Sequence, residues 1–286
     1  MKIARSQKLS QSIKKIISSL KFNKKNAEIS LAVIDLNKKK TIIGGYNMDK
    51  FIYPASLYKI FIAAEVLRQA DLNKKIKINS KNVIDKKKEI LSDSRPLLKK
   101  GNKVTVEYLL NLMITRSDNT AANCLIDLVG RENINKYIIQ KYHWRGSEVT
   151  RKFLPRKLEE KKYKDAMPTL TCARHVTEFL FLLNFNKLIS KTVSQTLKNY
   201  MILSKHAMNE NFDRNLSKNT LFFRKGGWFE TKNNKNQFLK YNSDAGIVES
   251  KNSKYIFACL TFLKTEEKNI NFPMKDLSKK IYRLIM

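Results

Sequence analysis

"QFLKYNSDAGIVES", residues 237–250, is followed after three residues by "KYIFACLTFL", residues 254–263, and preceded by "TLFFRKGGW", residues 220–228. β-branched and aromatic residues crowd all three, so the last third of the chain reads as strands. Working outward, residues 274–285 close the chain as a helix. At the other end "AEISLAVIDLN" (27–37) and "KTIIGGYN" (40–47) read as two strands joined by a lysine-rich turn. Before them, residues 7–20 place Leu9, Ile13, Ile16, Ile17 and Leu20 on one helical face. The middle is helical. One helix opens near Ser56 with Ile60, Phe61, Ala64 and Leu67 at helical intervals. "VEYLLNLMI" (106–114) is another, "SDNTAANCLIDLVG" a third that stops at Gly130, and two more lie at 171–184 and 188–203. Residues 79–103 are polar and irregular, and residues 144–168 form a long basic loop. Early strands, a helical middle, late strands and a final helix make an α+β pattern. The simplest assembly is one antiparallel sheet in which the first and last strands meet, with helices on both faces. The chain has no internal repeat and no Pro/Gly/Ser linker.

Composition narrows the function classes. The 286 residues are 42% apolar, enough for a real core, yet carry a net charge of +32. Such a surface attracts polyanions, among them an acidic cell-wall polymer. The basic residues are spread along the chain in short runs such as Lys86 to Lys88 and Lys161 to Lys162, with no RNA-binding signature and no zinc finger, so no specific nucleic-acid partner is expected. Cys124, Cys172 and Cys259 are odd in number, lie among apolar residues and read as buried thiols. His143, His175 and His206 have no metal-ligand spacing, so neither a metal nor another cofactor is expected. No stretch approaches the ~20 apolar residues of a membrane span.

Three short motifs carry chemistry. In "YPASLYKIFIAAEVL" (53–67) Ser56 precedes Lys59 by one helical turn, where an aromatic segment becomes an apolar helix. Ser12/Lys15 and Ser18/Lys21 share that spacing, so it decides nothing alone. Ser117-Asp118-Asn119 stands at the boundary between two helices, where its residues also suit an N-cap. Lys225-Gly226-Gly227 ends a strand, and its glycines allow close backbone approach, or equally a bulge or turn.

In order and spacing (61 residues from Ser56 to Ser117, 108 from Ser117 to Lys225) the three together resemble the penicillin-recognising serine hydrolases, and specifically the class A β-lactamase family with its S-x-x-K, S-D-N and K-T-G motifs. "GSEVTR" (146–151) and "NSDAGIV" (242–248) extend the likeness, which runs from about residue 27 to the end. The resemblance implies an α/β sandwich with an antiparallel sheet (from about 27–47 and 220–263) and a helical subdomain (about 56–205). Residues 1–26 would form an N-terminal helix and 27–286 the hydrolase domain.

The resemblance also implies roles. Ser56 would be the nucleophile and Lys59 its base, helped by the nearby cation Lys225. Ser117 would hand a proton to the leaving nitrogen. Asn119 would orient Lys59 and a substrate carbonyl, and Lys225 would pair with a substrate carboxylate. The backbone N–H groups of Ser56 and Trp228 would hold the oxyanion, with the Trp228 indole narrowing access. Gly226 departs from the third motif and removes a hydroxyl. The family's deacylating glutamate is sought five residues past Thr150-Arg151, where this chain has Arg156; Glu159 or Glu160 would have to replace it. The expected activity is a serine acyl-hydrolase acting on β-lactams through an acyl-Ser56 intermediate that clears slowly. The alternatives are a penicillin-binding D,D-peptidase-like enzyme on acyl-D-Ala-type peptidoglycan substrates and a non-catalytic descendant of the fold. The family further implies a periplasmic or secreted monomer, although no export signal is visible.

Overall fold

The computed structural model describes residues 3–38, 40–72, 76–84, 97–202, 220–251 and 253–286. His206 and the run Lys86 to Lys88 lie outside the described residues. The chain divides into two compact units. The first comprises Met1–Leu57, Thr171–Phe185 and His206–Met286; the second comprises Tyr58–Leu170 and Asn186–Lys205.

The first unit is built on a six-stranded sheet. Its strands are β1 (Ala4–Arg5), β2 (Ala27–Asp35), β3 (Ile42–Tyr46), β6 (Leu221–Lys232), β7 (Phe238–Glu249) and β8 (Lys254–Thr265), in the order β1-β3-β2-β8-β7-β6. β2 pairs antiparallel with β8 along nine residues, from Ala27 opposite Leu263 to Asp35 opposite Tyr255, so the early and late strands do meet. The exception to antiparallel order is β1, a two-residue parallel addition to β3 that is too short to show a periodicity.

Alternation along β2 assigns the faces. Ile29, Leu31 and Val33 point into a core closed by α1 (Gln7–Ser19) and α8 (Met274–Ile285), through Leu9, Ile13 and Ile17 from the first and Leu277, Ile281 and Ile285 from the second. Ser30, on the other face, accepts the Ala173 N–H at 3.0 Å at the start of α6 (Ala173–Asn184). Helices therefore cover both sides of the sheet. All three cysteines are buried and none is in a disulfide among the described residues, and burial pushes the Cys172 thiol up to about 11.

The second unit is helical: α2 (Lys59–Asp71), α3 (Val106–Asn111), α4 (Asn119–Val129), α5 (Arg131–Ile134) and α7 (Lys191–Ile202). α2 is buried from Lys59 to Gln69 with no exposed face, which marks it as the unit's core rather than an amphipathic surface helix. A hairpin of β4 (Lys81–Val83) and β5 (Lys103–Thr105) lies where the sequence reads as irregular. Its residues are exposed or half-buried, so no hydrophobic alternation advertises it. Among the described residues no helix is long and apolar enough to cross a membrane.

Ile13 has no exposed surface within the core shared by α1, α8 and the sheet. Ile13→Ala should destabilise the protein by about 2–5 kcal/mol, read as a lowered urea midpoint at unchanged m-value.

Candidate active site

The residues singled out by the sequence fall into both units, and each unit builds its share separately. In the sheet unit, Ser56 lies in a 3-10 turn, Ala55–Tyr58, that runs directly into α2. Ala55 has φ 48°, a left-handed conformation that a side-chain-bearing residue adopts at a cost of about 1–3 kcal/mol. Leu57 donates its N–H to Pro54 O at 3.1 Å and closes the turn. Strand β6 comes against this turn at Gly227. A Cβ there would sit 2.6 Å from Pro54 O and from Ser56 N, and 2.7 Å from Leu57 N, all backbone atoms. Only glycine lets the strand lie beside the Ser56 N–H. Trp228, the next residue, has an indole 44% exposed.

Neighbouring residues of β6 alternate between faces. Arg224 forms a buried ion pair with Asp244 at 2.8 Å, and its guanidinium fills the space beside Gly226, 3.0 Å from where a Cβ would be. The absent hydroxyl at 226 is thus matched by a guanidinium already committed to a carboxylate. Lys225 is wholly buried and donates to Gly226 O at 2.7 Å. Burial, and then the charge of Arg224, lower its pKa to about 7, against the opposing pull of Asp244.

In the helical unit, the Lys59 side chain is fully enclosed and its Nζ donates to Ser117 O at 2.5 Å, Asn119 Oδ1 at 2.6 Å and Ser117 Oγ at 3.3 Å. Ser117 ends a π-helical turn, Leu112–Arg116, with φ 57°, and this left-handed residue turns both its carbonyl and its hydroxyl to one amine. Between them, Asp118 caps α4 by accepting the Ala121 N–H at 2.7 Å. The middle residue of Ser-Asp-Asn thus caps the helix, and its two neighbours accept hydrogen bonds from Lys59.

The long loop reaches the same amine through a residue that the sequence reading passed over. The ring of Phe153 lies 4.2 Å from Lys59 Nζ and stacks on Tyr58 with centroids 4.6 Å apart. Asn123 fixes the Phe153 backbone from both sides, accepting its N–H at 2.8 Å and donating to its carbonyl at 3.3 Å. Phe153 stands two residues past Arg151. The expectation that the informative position lay five residues past it pointed to Arg156, which is exposed and donates to Lys164 O. The only signal was its type: Phe153 is an aromatic residue between the basic residues Lys152 and Arg156, in a loop that also holds Trp144 and Tyr163.

Glu159 and Glu160 have other partners. The Glu159 carboxylate is enclosed, taking Arg131 Nη2 at 2.9 Å and the backbone N–H groups of Lys152 at 2.9 Å and Glu160 at 3.1 Å. Glu160 is 53% exposed in its side chain, and its hydrogen bond from Lys152 Nζ holds it below the usual carboxylate range. Arg131 also donates to Thr150 O at 3.0 Å. This pattern reads as a clamp on the loop. It ties both carboxylates to Arg131, Lys152 and the loop's own backbone.

A family model described as the beta-lactamase enzyme family matches residues 8–285. The chain is 24% identical over 256 residues to β-lactamase VEB-1 of Pseudomonas aeruginosa, covering 85% of this chain and 80% of that one. Among solved structures it superposes on the extended-spectrum β-lactamase TLA-3 with a TM-score of 0.80 at 20% identity, covering 97% of this chain and 99% of that one. It superposes on PBP-A with a TM-score of 0.78 at 18% identity, covering 99% and 98%. A mutant of PBP-A has been solved as an acyl-enzyme complex with penicillin G.

The two glycines of β6 should respond differently to a methyl group. Gly227→Ala drives a Cβ into three backbone atoms and should cost about 1–3 kcal/mol. At Gly226 the nearest atom is the end of the Arg224 side chain, which can shift, so Gly226→Ala should cost less than about 1 kcal/mol by the same urea titration.

Proposed function

Since the chain belongs to the beta-lactamase enzyme family, we propose that it is a serine acyl-hydrolase that opens β-lactams through an ester on Ser56 and releases the product slowly. The observation that carries this reading is the enclosed Lys59 amine gripped by Ser117 and Asn119, in the same helical run as Ser56 and three residues after it. A lysine removed from water and presented to hydroxyl and amide oxygens is poised to exchange protons with a neighbouring serine.

In this reading Ser56 Oγ attacks the lactam carbonyl carbon and its proton passes to the neutral form of Lys59. The oxyanion is held by the backbone N–H groups of Ser56 and Trp228, and Gly227 is what allows β6 to lie against the Ser56 turn. Collapse breaks the lactam C–N bond, and the nitrogen takes its proton from Ser117, which takes one in turn from the Lys59 ammonium. Asn119 orients Lys59 and the substrate's amide carbonyl. Lys225 pairs with the carboxylate that β-lactams carry. Slow release follows from the loop, whose two candidate carboxylates are bound to Arg131 and Lys152.

The penicillin-binding alternative, acting on acyl-D-Ala-type peptides, is favoured by the same observation and by the likeness to PBP-A. The two readings differ in the lifetime of the ester. An extracytoplasmic monomer that meets anionic wall polymers fits either, and the net charge of +32 supports that contact.

Intact-protein mass spectrometry with benzylpenicillin tests the proposal. A single adduct should form on the parent chain and be absent from Ser56→Ala and Lys59→Ala. Adduct formation at the parental rate in Lys59→Ala would remove Lys59 as the base. With its pKa lowered to about 7, Lys225 is charged below that pH and neutral above it. The affinity for a carboxylate-bearing β-lactam should therefore fall as pH rises through about 7, by up to tenfold per unit. In Lys225→Arg that fall should vanish from the pH profile of KM or of the acylation midpoint, because a guanidinium keeps its charge.

A further inference from the structure

We propose that the outward side of α1 and α8 is a docking surface for an anionic lipid bilayer, held by charge and not by insertion. The net charge alone fits any polyanion, but it is not spread evenly. Residues 1–27 hold eight Lys and Arg and no Asp or Glu, and residues 274–286 hold four against Asp276. These 40 residues carry +11 of the net +32, more than twice an even share of the 286. The next carboxylate along the chain, Glu28, is engaged by Lys50 at 3.2 Å. In the helical unit, by contrast, several basic residues are spent on carboxylates: Arg131 on Glu159, Lys152 on Asp127 and Glu160, and Lys162 on Glu132.

Packing turns this charge outward. α1 buries Leu9, Ile13 and Ile17 in the same core as Leu277, Ile281 and Ile285 of α8, and the two helices touch. Left on the other side of α1 are Lys8, Lys14 and Lys15, with glutamine and serine between them. The turn after it adds Lys21, Lys24 and Lys25, and α8 adds Lys275, Lys279 and Arg283, all of them exposed. Gln11, Lys14, Lys15, Ser18 and Ser19 line a shallow pocket on this side. They supply ammonium, hydroxyl and amide donors with no carboxylate among them, which suits the phosphate of a lipid headgroup. The exposed residues of α1 include no apolar side chain, so the layer can rest on headgroups but has no wedge for the acyl region. A single-stranded nucleic acid is tracked by a groove with rings to stack on. A two-helix layer about 20 Å long, basic along its whole outer side, fits a plane instead.

The register of the sheet puts the Ser56 turn on the opposite side. Gly227, Ser243, Leu260 and Ser30 are paired in one row across β6, β7, β8 and β2, and a row of cross-strand partners shares one face. Ser30 marks that face as the one covered by α6, away from α1 and α8. The Ser56 turn lies against Gly227 on it. A bilayer beneath α1 and α8 therefore leaves the turn open.

Co-sedimentation of the full chain with vesicles of phosphatidylglycerol and phosphatidylcholine, in about equal parts, is the test. The parent should bind these vesicles, bind pure phosphatidylcholine at least about tenfold more weakly, and come off as salt rises from about 0.05 to 0.5 M. A lysine near an anionic surface is worth about fivefold in partition. The variant Lys8→Gln/Lys14→Gln/Lys15→Gln/Lys279→Gln should therefore bind roughly 10²- to 10³-fold more weakly, at an unchanged urea midpoint. The variant Lys136→Gln/Lys141→Gln/Lys161→Gln/Lys164→Gln, at four exposed positions of the helical unit, makes the same change in net charge. It should bind within about threefold of the parent if placement and not total charge decides. Equal losses in the two variants, or no preference for phosphatidylglycerol, would overturn the proposal. So would a parent that takes up linear polyphosphate through Lys8, Lys14, Lys15 and Lys279 but leaves the vesicles unbound, because the partner would then be a free polyanion. Each of these outcomes leaves the reading of Ser56 untouched.

Discussion

A lysine ammonium taken wholly out of water must be given oxygen partners or lose its charge, because the unpaired ion costs several kcal/mol. Lys59 is in that position at the first turn of a helix buried on every side, and much of the helical unit can be read as the provision of its partners. The π-helical turn before Ser117 and the left-handed conformation of Ser117 are locally unusual, and the favourable cap made by Asp118 starts the next helix directly after them. Together they aim two side-chain oxygens and a carbonyl at one nitrogen. Strain of this kind survives only where its surroundings over-determine it, and the buried amine does so here.

The sheet unit shows the same economy in backbone terms. The left-handed Ala55 and the absence of a side chain at Gly227 let a turn and a strand meet at van der Waals distance, with the Ser56 N–H at the junction. On the same strand a buried arginine is neutralised by Asp244, and burial lowers the proton affinity of the adjacent Lys225.

Most of the fold was legible because its signals are local. The periods of residues 7–20, 27–37, 237–250 and 274–285 are those of elements with one face on a core, and Gly130 ends its helix with φ 81°. The β4–β5 hairpin was not, since its exposed residues alternate in nothing. The motif residues could be picked out by order and spacing, and Lys59, Ser117 and Asn119 do come together. The role of the long loop was less legible. Counting five residues past Arg151 reached an exposed arginine, whereas the ring that meets the amine comes from Phe153. The carboxylates that looked like bases at Glu159 and Glu160 are drawn to Arg131, a helical residue whose burial no spacing rule within the loop announces. Side chains that act across distant segments leave a sequence trace only when their types are restricted, and a carboxylate in a lysine-rich chain is not a restricted choice.

The three cysteines have a practical corollary. Burial pushes the Cys172 thiol up to about 11 and raises Cys259 as well, and all three cysteines are buried. Thiolates are the reactive species in oxidation and alkylation, so Cys172 and Cys259 should react slowly with either in the native fold. Each sulfur becomes visible to an electrophile only when its own region opens. Because Cys124 belongs to the helical unit while Cys172 and Cys259 belong to the sheet unit, the chain carries a separate intrinsic clock for the opening of each half.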